Sequence, residues 1–326
     1  MIYSYRILTV IMPMLAFVVI TVGAYVRLTD AGLGCPDWPG CYGQLLVTHD
    51  DSSLSQSAKA LGQQEAEVGK AWREMLHRYL ASTLGLGILI LFALSLKDPQ
   101  FARHRALLAS LVLLVMFQGA LGMWTVTLLL KPLVVTAHLF GGLATLSLLW
   151  WHLVSDFFPK HEKQQAVVPL INILLLVLLG QIFLGGWTST NYAALACTDF
   201  PTCHGLLWPQ MDFREAFILW RGLGIDYEFG VLDTPARTAI HFSHRLWAIV
   251  TAALLGLAAL YAIRFGTVPV RRAGWCIIAA LGVQLSLGVG NVILGLPLPI
   301  AVAHNGGAAI LLLSVLSLKY FNNYKV

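Results

Sequence analysis

The sequence predicts an all-α polytopic membrane protein whose eight transmembrane helices form two tandem four-helix bundles related by a pseudo-twofold axis. Three observations carry that expectation. Charged residues make up 11% of the 326-residue chain and hydrophobic ones 58%, against about 25% charged in a soluble domain, so most of the surface must face lipid. Eight apolar runs each reach the roughly 20 residues that cross a bilayer. Motifs of the first half return in the second at nearly constant spacing.

The runs lie at 7–27, 71–96, 106–127, 133–155, 166–187, 237–263, 273–294 and 300–319. Two long polar segments, 28–70 and 188–236, interrupt them, and alternation of the spans puts both on one side. The other side carries Arg6, Lys97, Arg103, Arg105, Lys160, Lys163, Arg264, Arg271, Arg272, Lys319 and Lys325, against Asp98, Asp156 and Glu162. An excess of Lys and Arg in short loops marks the cytoplasm. Both termini are therefore expected inside and the long loops outside. The net charge of +5 is spread over these loops and forms no basic patch, which argues against a nucleic-acid partner. Apolar residues begin at Ile7 with no small-residue cleavage site and no Arg- and Ser-rich presequence before them. That pattern favours a bacterial plasma (inner) membrane over an imported organellar protein.

The repeat is specific. Cys35 and Cys41 return as Cys197 and Cys203, 162 positions on. GluMetLeuHisArg at 74–78 returns as HisPheSerHisArg at 241–245, 167 positions on. Gln118 with Gly122 returns as Gln284 with Gly288, and AlaHisLeuPheGlyGly at 137–142 as AlaHisAsnGlyGlyAla at 303–308, both 166 positions on. A duplicated unit with an even number of spans keeps its orientation, so residues 1–165 and 166–326 are expected as two halves paired about the membrane normal.

Ten histidines are present. His104 and His161 fall in cytoplasmic loops, His152 at a cytoplasmic helix end, and His49 and His204 in the outer loops, where solvated or capping roles are expected. His77, His138, His244 and His304 differ: each is expected about six residues into its span, roughly 9 Å below the outer boundary. Ionisable side chains inside a span are costly and face the bundle interior. One such histidine is ordinarily a core residue bonded to a neighbouring helix; four at equal depth, as two copies of one pair, call for a ligand.

Neutral imidazole suits Zn, Cu, Fe and Ni. A small-metal site adds a Cys or carboxylate, and only the first pair has one nearby, Glu74. Haem iron needs axial ligands alone. Gly119, Gly122, Gly141 and Gly142, with Gly288, Gly290, Gly306 and Gly307, leave room beside the helices for a macrocycle, although small residues also serve helix packing. The residues thus predict two bis-histidine haem sites, His77 with His138 and His244 with His304. Arg78 and Arg245 each follow a ligand directly, placed either to meet propionates or to snorkel to the interface.

The four loop cysteines lie on the oxidising side, where disulfides persist, and each pair is close enough to close a small ring, Cys35–Cys41 and Cys197–Cys203. Neither fits the Cys-x-x-Cys-His attachment of haem c. Stiffening of the loops and electron exchange both remain open to them. Cys276 in the seventh span is expected as a packed thiol.

The halves differ one turn before the first ligand, with Glu74 in one and His241 in the other. Residues at i and i+3 share a helix face, so the carboxylate is expected to point towards the haem of His77. An unpaired buried carboxylate is expensive, which suggests proton handling or substrate orientation in the first half; capping the helix start is the plainer alternative. Segment 27–39 is also richer in polar residues and glycine than 188–201. Chemistry is therefore expected in the first half and a retained cofactor in the second.

ValArgLeuThr-x-x-GlyLeuGlyCysProAspTrpPro-x-Cys at 26–41, GluMet-x-HisArg at 74–78, the two AlaHis motifs and HisPheSerHisArg together resemble the haem A synthase family, over all eight spans. The resemblance implies an oxidoreductase that converts the C8 methyl of haem O to the formyl group of haem A for cytochrome oxidase. It implies that His77 and His138 ligate the substrate haem, that turnover depends on Glu74, and that His244 and His304 ligate a permanent haem b. It also implies haem O synthase and cytochrome oxidase assembly factors as partners and an electron donor outside the chain, and it leaves a homo-oligomer open. Composition and spacing reach only two haem sites. They leave a second reading, a non-catalytic dihaem b-type cytochrome relaying electrons from quinol.

Overall fold

The computed structural model describes residues 2–47, 52–60, 66–158, 162–163, 168, 170–322 and 324–325; His49, Lys160 and His161 lie outside them. Ten α-helices follow in chain order: α1 (Ile2–Leu28), α2 (Ser52–Ala60), α3 (Val68–Lys97), α4 (Arg105–Thr127), α5 (Pro132–Phe157), α6 (Ile171–Thr190), α7 (Phe213–Ala216), α8 (Thr234–Phe265), α9 (Val268–Ile293) and α10 (Leu298–Asn322). Two-residue strands β1 (Glu162–Lys163) and β2 (Tyr324–Lys325) pair antiparallel. Eight of the helices, all but α2 and α7, are long and apolar enough to cross a membrane. The chain is a nearly all-helical multi-pass membrane protein.

Helix starts follow local chemistry. α8 begins at Thr234, three residues before its apolar run, because the Asp233 side chain accepts from the Ala236 amide at 3.1 Å and Pro235 sits in the first turn, both helix-starting signals. α3 also begins three residues before its apolar run, at Val68, with Glu67 at its start making no side-chain cap. α6 begins only at Ile171, five residues later than its apolar run, and Pro169 disfavours helix in the residue before it.

The described chain divides into two compact units, Met1–Leu146 with Leu219–Val231, and Ser147–Ile218 with Leu232–Val326. In the first, α1 packs on α3 and α3 on α4. A Cβ added at Gly87 of α3 would stand 2.3 Å from Sδ of Met12 on α1, the small-residue close approach that membrane helices use where lipid gives no hydrophobic drive. In the second, α6 packs on α8, α8 on α9, α9 on α10 and α10 on α6, closing a four-helix ring. The end of α5 joins it through Trp150, whose Nε1 donates to Ser317 Oγ at 2.9 Å.

Three side chains depart from expectation. His104 and His152 are buried, at 4% and 0% exposure, not solvated. The short loop before α4 folds as a 3-10 turn, Pro99–His104, against α1, with Phe101 stacked on Tyr5 at 3.7 Å; His104 Nε2 accepts from Arg103 Nε at 2.9 Å. Cys276 is exposed on α9, since a lipid-facing surface accepts a small apolar thiol as readily as a core does.

Candidate functional site

In the first unit, the rings of His77 on α3 and His138 on α5 face each other with centroids 6.5 Å apart and planes at 85°. One metal ion held between two imidazoles, with metal–nitrogen bonds of ~2 Å, sets the ring centroids about 6 Å apart. The pair is therefore spaced to hold a single ion from two sides. His77 lies nine residues into α3 and His138 six into α5, so both sit near the same end of their helices. In the second unit, His244 on α8 and His304 on α10 occupy the matching sequence positions, each beside a glutamine, Gln181 and Gln284.

Each of the four rings rests on a glycine of a neighbouring helix. A Cβ would stand 2.9 Å from His77 Cε1 at Gly23, 3.6 Å from His138 Cε1 at Gly122, 3.1 Å from His244 Cε1 at Gly185 and 3.1 Å from His304 Cε1 at Gly288. Glutamines fix the backbone beside the rings: Gln118 Nε2 donates to His138 O at 3.1 Å, and Gln181 Nε2 lies 3.1 Å from His244 Nδ1 and 3.3 Å from His244 O. Gly141 and Gly307 make room for Gln118 and Gln284, whose side chains a Cβ would meet at 1.9 and 2.3 Å. Among the described residues no cluster of three or more His, Cys, Asp or Glu forms. The donor set is two imidazoles across a glycine-lined gap. That suits an iron whose other four ligands a porphyrin brings, so the residues fit a haem in each unit.

Above each histidine sits a disulfide loop. Cys35–Cys41 and Cys197–Cys203 are bonded, each with Cα atoms 4.8 Å apart. The loops share their hydrogen bonds residue for residue. Asp30 and Tyr192 end α1 and α6 with left-handed φ of 46° and 52°. Asp37 accepts from the amides of Tyr42 and Gly43 at 2.6 and 2.9 Å, and Asp199 from those of His204 and Gly205 at 2.7 and 3.0 Å. Those two-residue turns, with φ of 51° and 75°, and of 55° and 72°, have both central residues at positive φ, as tight hairpins require. In the second loop Thr202 Oγ1 also donates to Asp199 at 2.5 Å, and this bond, with the turn amides, holds the Asp199 carboxyl down to about 2.

Helix and loop meet at one joint in each unit. Glu74 Oε2 accepts from the Cys35 amide at 2.9 Å and Oε1 from Arg78 at 2.6 Å. His241 stands at the same joint, with Nδ1 3.4 Å from the Cys197 amide and Nε2 3.1 Å from Arg245 Nε; a neutral imidazole accepts at one of these nitrogens and carries its proton on the other. Arg78 donates to the carbonyls of Asp37 and Gly40 at 3.0 and 2.6 Å; Arg245 donates to those of Thr202 and Cys197, both at 2.9 Å. Both arginines, placed by sequence beside the propionates or the interface, are thus bonded to loop carbonyls. Glu74, expected to point at the haem, bridges loop and arginine through its two oxygens, and His241 occupies the matching place with a single acceptor nitrogen and no fixed negative charge.

The first unit also carries a roof. Lys131, in the turn between α4 and α5, is 2% exposed, with Nζ 3.6 Å from the centroid of Trp220 and donating to Gly222 O. The Tyr227 amide donates to Leu129 O at 3.1 Å. Segment 219–231 of the second long loop is therefore latched onto the loop end of the first unit. Lys131 carries no local signal of this role, since only the folded chain brings Trp220 to it. Gly23 and Gly185 were also missed, though their shared 162-residue spacing was there to find.

The family described as cytochrome oxidase assembly protein, COX15-CtaA, matches residues 6–316. A Heme A synthase of Shewanella oneidensis is 47% identical over 307 residues, covering 93% of this chain and 92% of that protein. Heme A synthases of Nitrosospira multiformis and Erythrobacter litoralis are 27% and 28% identical, covering 93% and 92% of this chain and 88% and 91% of their own lengths.

Proposed function

The chain belongs to the COX15-CtaA family of cytochrome oxidase assembly proteins, and from that premise we propose that it acts as a haem A synthase, oxidising the C8 methyl of haem O to a formyl group. The supporting observation is the pair of imidazoles 6.5 Å apart on α3 and α5, spaced to hold one iron, in a chain 47% identical to a protein named Heme A synthase.

In this reading residues 1–165 form the substrate half and 166–326 the half that keeps its cofactor. His77 and His138 hold the substrate porphyrin from its two faces, which fixes its plane and leaves its rim, where the methyl group sits, available to the reaction. Glu74 is the residue on which turnover depends; it ties α3 to the first loop and carries the charge that its counterpart His241 lacks. His244 and His304 hold haem b, which when bound supplies one-electron transfer. Gln181 orients the His244 ring and keeps that ligand in place. The termini lie in the cytoplasm of a bacterial cell and the disulfide loops outside. Haem O synthase delivers the substrate, cytochrome oxidase assembly factors take the product, and an outside donor supplies four electrons alongside dioxygen, two molecules of which serve as the oxidant, give the formyl oxygen and leave as three waters.

Expressed in a bacterial host without its own enzyme, the chain should convert haem O to haem A, and His77→Ala or Glu74→Ala should leave haem O unconverted. A normal haem A yield from both variants would end this reading. Two equal, tightly held haems b with no modified porphyrin would instead favour the electron-relay cytochrome.

A further inference from the structure

A substrate haem must enter and a product haem must leave, whereas a resident haem must stay, and the seam between the first two spans of each unit differs accordingly. In the second unit the α6–α8 seam is stapled. Gln181 on α6 bonds His244 on α8, and Trp247 Nε1 on α8 donates to Val177 O on α6 at 2.9 Å while packing on Gly180. At the loop end, Trp187 is buried and donates to Ala216 O at 2.9 Å, which seats the short helix α7 over the seam. α7 is itself tied to the start of α8 by the bond from the Asp212 amide to Pro235 O at 3.1 Å. Ala236, Ala239 and Ile240 beneath it are each 0% exposed.

The α1–α3 seam of the first unit lacks these side-chain staples at the matching positions, related by the repeat spacings of 162 and 167; its tie at that level is the bond between the His77 ring and the Val19 backbone. Val19 and Leu80, which cannot donate a side-chain hydrogen bond, stand where Gln181 and Trp247 stand. Tyr25 stands for Trp187, and Gly69, Trp72 and Arg73 for Ala236, Ala239 and Ile240. Among the described residues these positions line a groove of about 420 Å³, formed by Tyr25, Gly69, Trp72, Arg73 and Leu76. It adjoins the site: Leu76 precedes His77, Arg73 lies one turn from His77 on the same face of α3, and Tyr25 is two residues from Gly23, which touches the His77 ring. Arg73 donates from Nε to Gly69 O at 3.0 Å, which leaves its Nη groups as the charged donors in the groove. A larger hollow of about 560 Å³ in the second unit is lined by α9 alone and contains no charged residue, so it offers an anionic ligand nothing.

We propose that the α1–α3 seam is the lateral passage through which the substrate haem exchanges with the membrane, and that Arg73 receives a propionate as the porphyrin edge crosses the groove. The occupant follows from the chemistry: a flat apolar body with an anionic rim suits a groove of aromatic and aliphatic side chains with one guanidinium. Arg78 cannot serve in the same way, because it holds the loop. The roof over the loop end makes a sideways route the more direct one. The identity of the exchanging haem rests on the function proposed above; the passage itself does not.

Grafting the staple tests it. The double variant Val19→Gln, Leu80→Trp is compared with the parent, both full length in lipid nanodiscs. Haemin uptake is followed by Soret absorbance and haemin loss by transfer to an apo-globin trap. Exchange should slow by about tenfold or more, the haem should stay through purification, and the bis-histidine spectrum should be retained. In parallel, Arg73→Gln should weaken haemin and haem O binding by about tenfold, the scale of a lost charged hydrogen bond, with Arg73→Lys recovering part of it. Gly69→Leu, where a Cβ meets nothing within 4 Å, should slow uptake without disturbing the fold and covers the case in which the double variant does not fold. Unchanged exchange in the grafted protein, or in Gly69→Leu if the graft fails to fold, would overturn the passage even if haem A is still made. A parent protein that exchanges haemin through this seam but never oxidises haem O would overturn the enzyme reading alone.

Discussion

The two disulfide loops are clamped by matching aspartates and tied to the helices beneath them by matching arginines, yet the side chains around them differ. Asp37 and Asp199 clamp the same turn, Arg78 and Arg245 tie the same kind of loop carbonyls, and four glycines seat four imidazoles. What differs is charge and closure. The first half has Glu74 at the joint and a groove along its α1–α3 seam without side-chain staples; the second has His241 at the joint, a staple of Gln181 and Trp247, and α7 over the seam. Under the function proposed above, a few positions around a shared loop fold would separate a substrate site from a holding site.

The strongest test of that division removes one ligand from each half. His244→Ala should strip the purified protein of its retained haem, lowering occupancy more than about 100-fold, since even outer-shell changes at metal sites cost 10–100-fold. His77→Ala should leave the retained haem spectrum in place and abolish haem A formation. Equal loss of retained haem in both variants would erase the distinction between the halves.

The joint offers a finer test, because the second half places a histidine, His241, where the first has Glu74, within reach of the matching loop amide and arginine. Glu74→His should therefore keep the loop folded, with Tm shifted by no more than a few degrees, while haem A formation falls about tenfold or more. Glu74→Ala should lose both. Full turnover by Glu74→His would mean that the acceptor geometry matters and the carboxylate does not.

Arg78→Ala and Arg245→Ala should destabilise their loops alike, by about 1.5–3 kcal/mol per charged hydrogen bond lost, read as earlier thermal unfolding. If Arg78→Ala raised the KM for haem O tenfold with no change in stability, the propionate role suggested by its place beside His77 would be restored.

How much of this was legible beforehand depended on whether a signal was local. Spans show in sequence because a membrane demands about 20 consecutive apolar residues, and the four histidines stand out because an ionisable group at that depth is costly. The disulfide rings were legible from a six-residue step. The partner of an arginine is not local: Arg78 reaches carbonyls some forty residues back, and nothing in 74–78 tells a loop carbonyl from a propionate. Gly23 and Gly185 were hidden for a related reason, because glycine is common in membrane helices and only packing shows which one faces a ring. α7 was illegible because four residues in a long polar loop carry no periodicity; its role comes from Trp187 reaching Ala216.

The smallest expected difference lies between the two turn clamps. Thr202 donates to Asp199, whereas Gly40 occupies the matching place beside Asp37 and has no hydroxyl to offer. The Thr202 hydroxyl, with the turn amides, holds the Asp199 carboxyl at about 2, below the ~3.9 of an unfolded aspartate. A depressed folded value means that this carboxylate favours the folded loop above pH ~4 and that the benefit fades as pH falls through about 2. The His204 and Gly205 amides should accordingly stay protected from hydrogen exchange in mild acid down to that range. Thr202→Ala should move the loss of protection upward, towards the ordinary carboxylate range, and make the second turn resemble the first. A carboxyl of Asp199 that titrates near 4 in the parent protein would show that the hydroxyl contributes nothing and that the two clamps are equivalent.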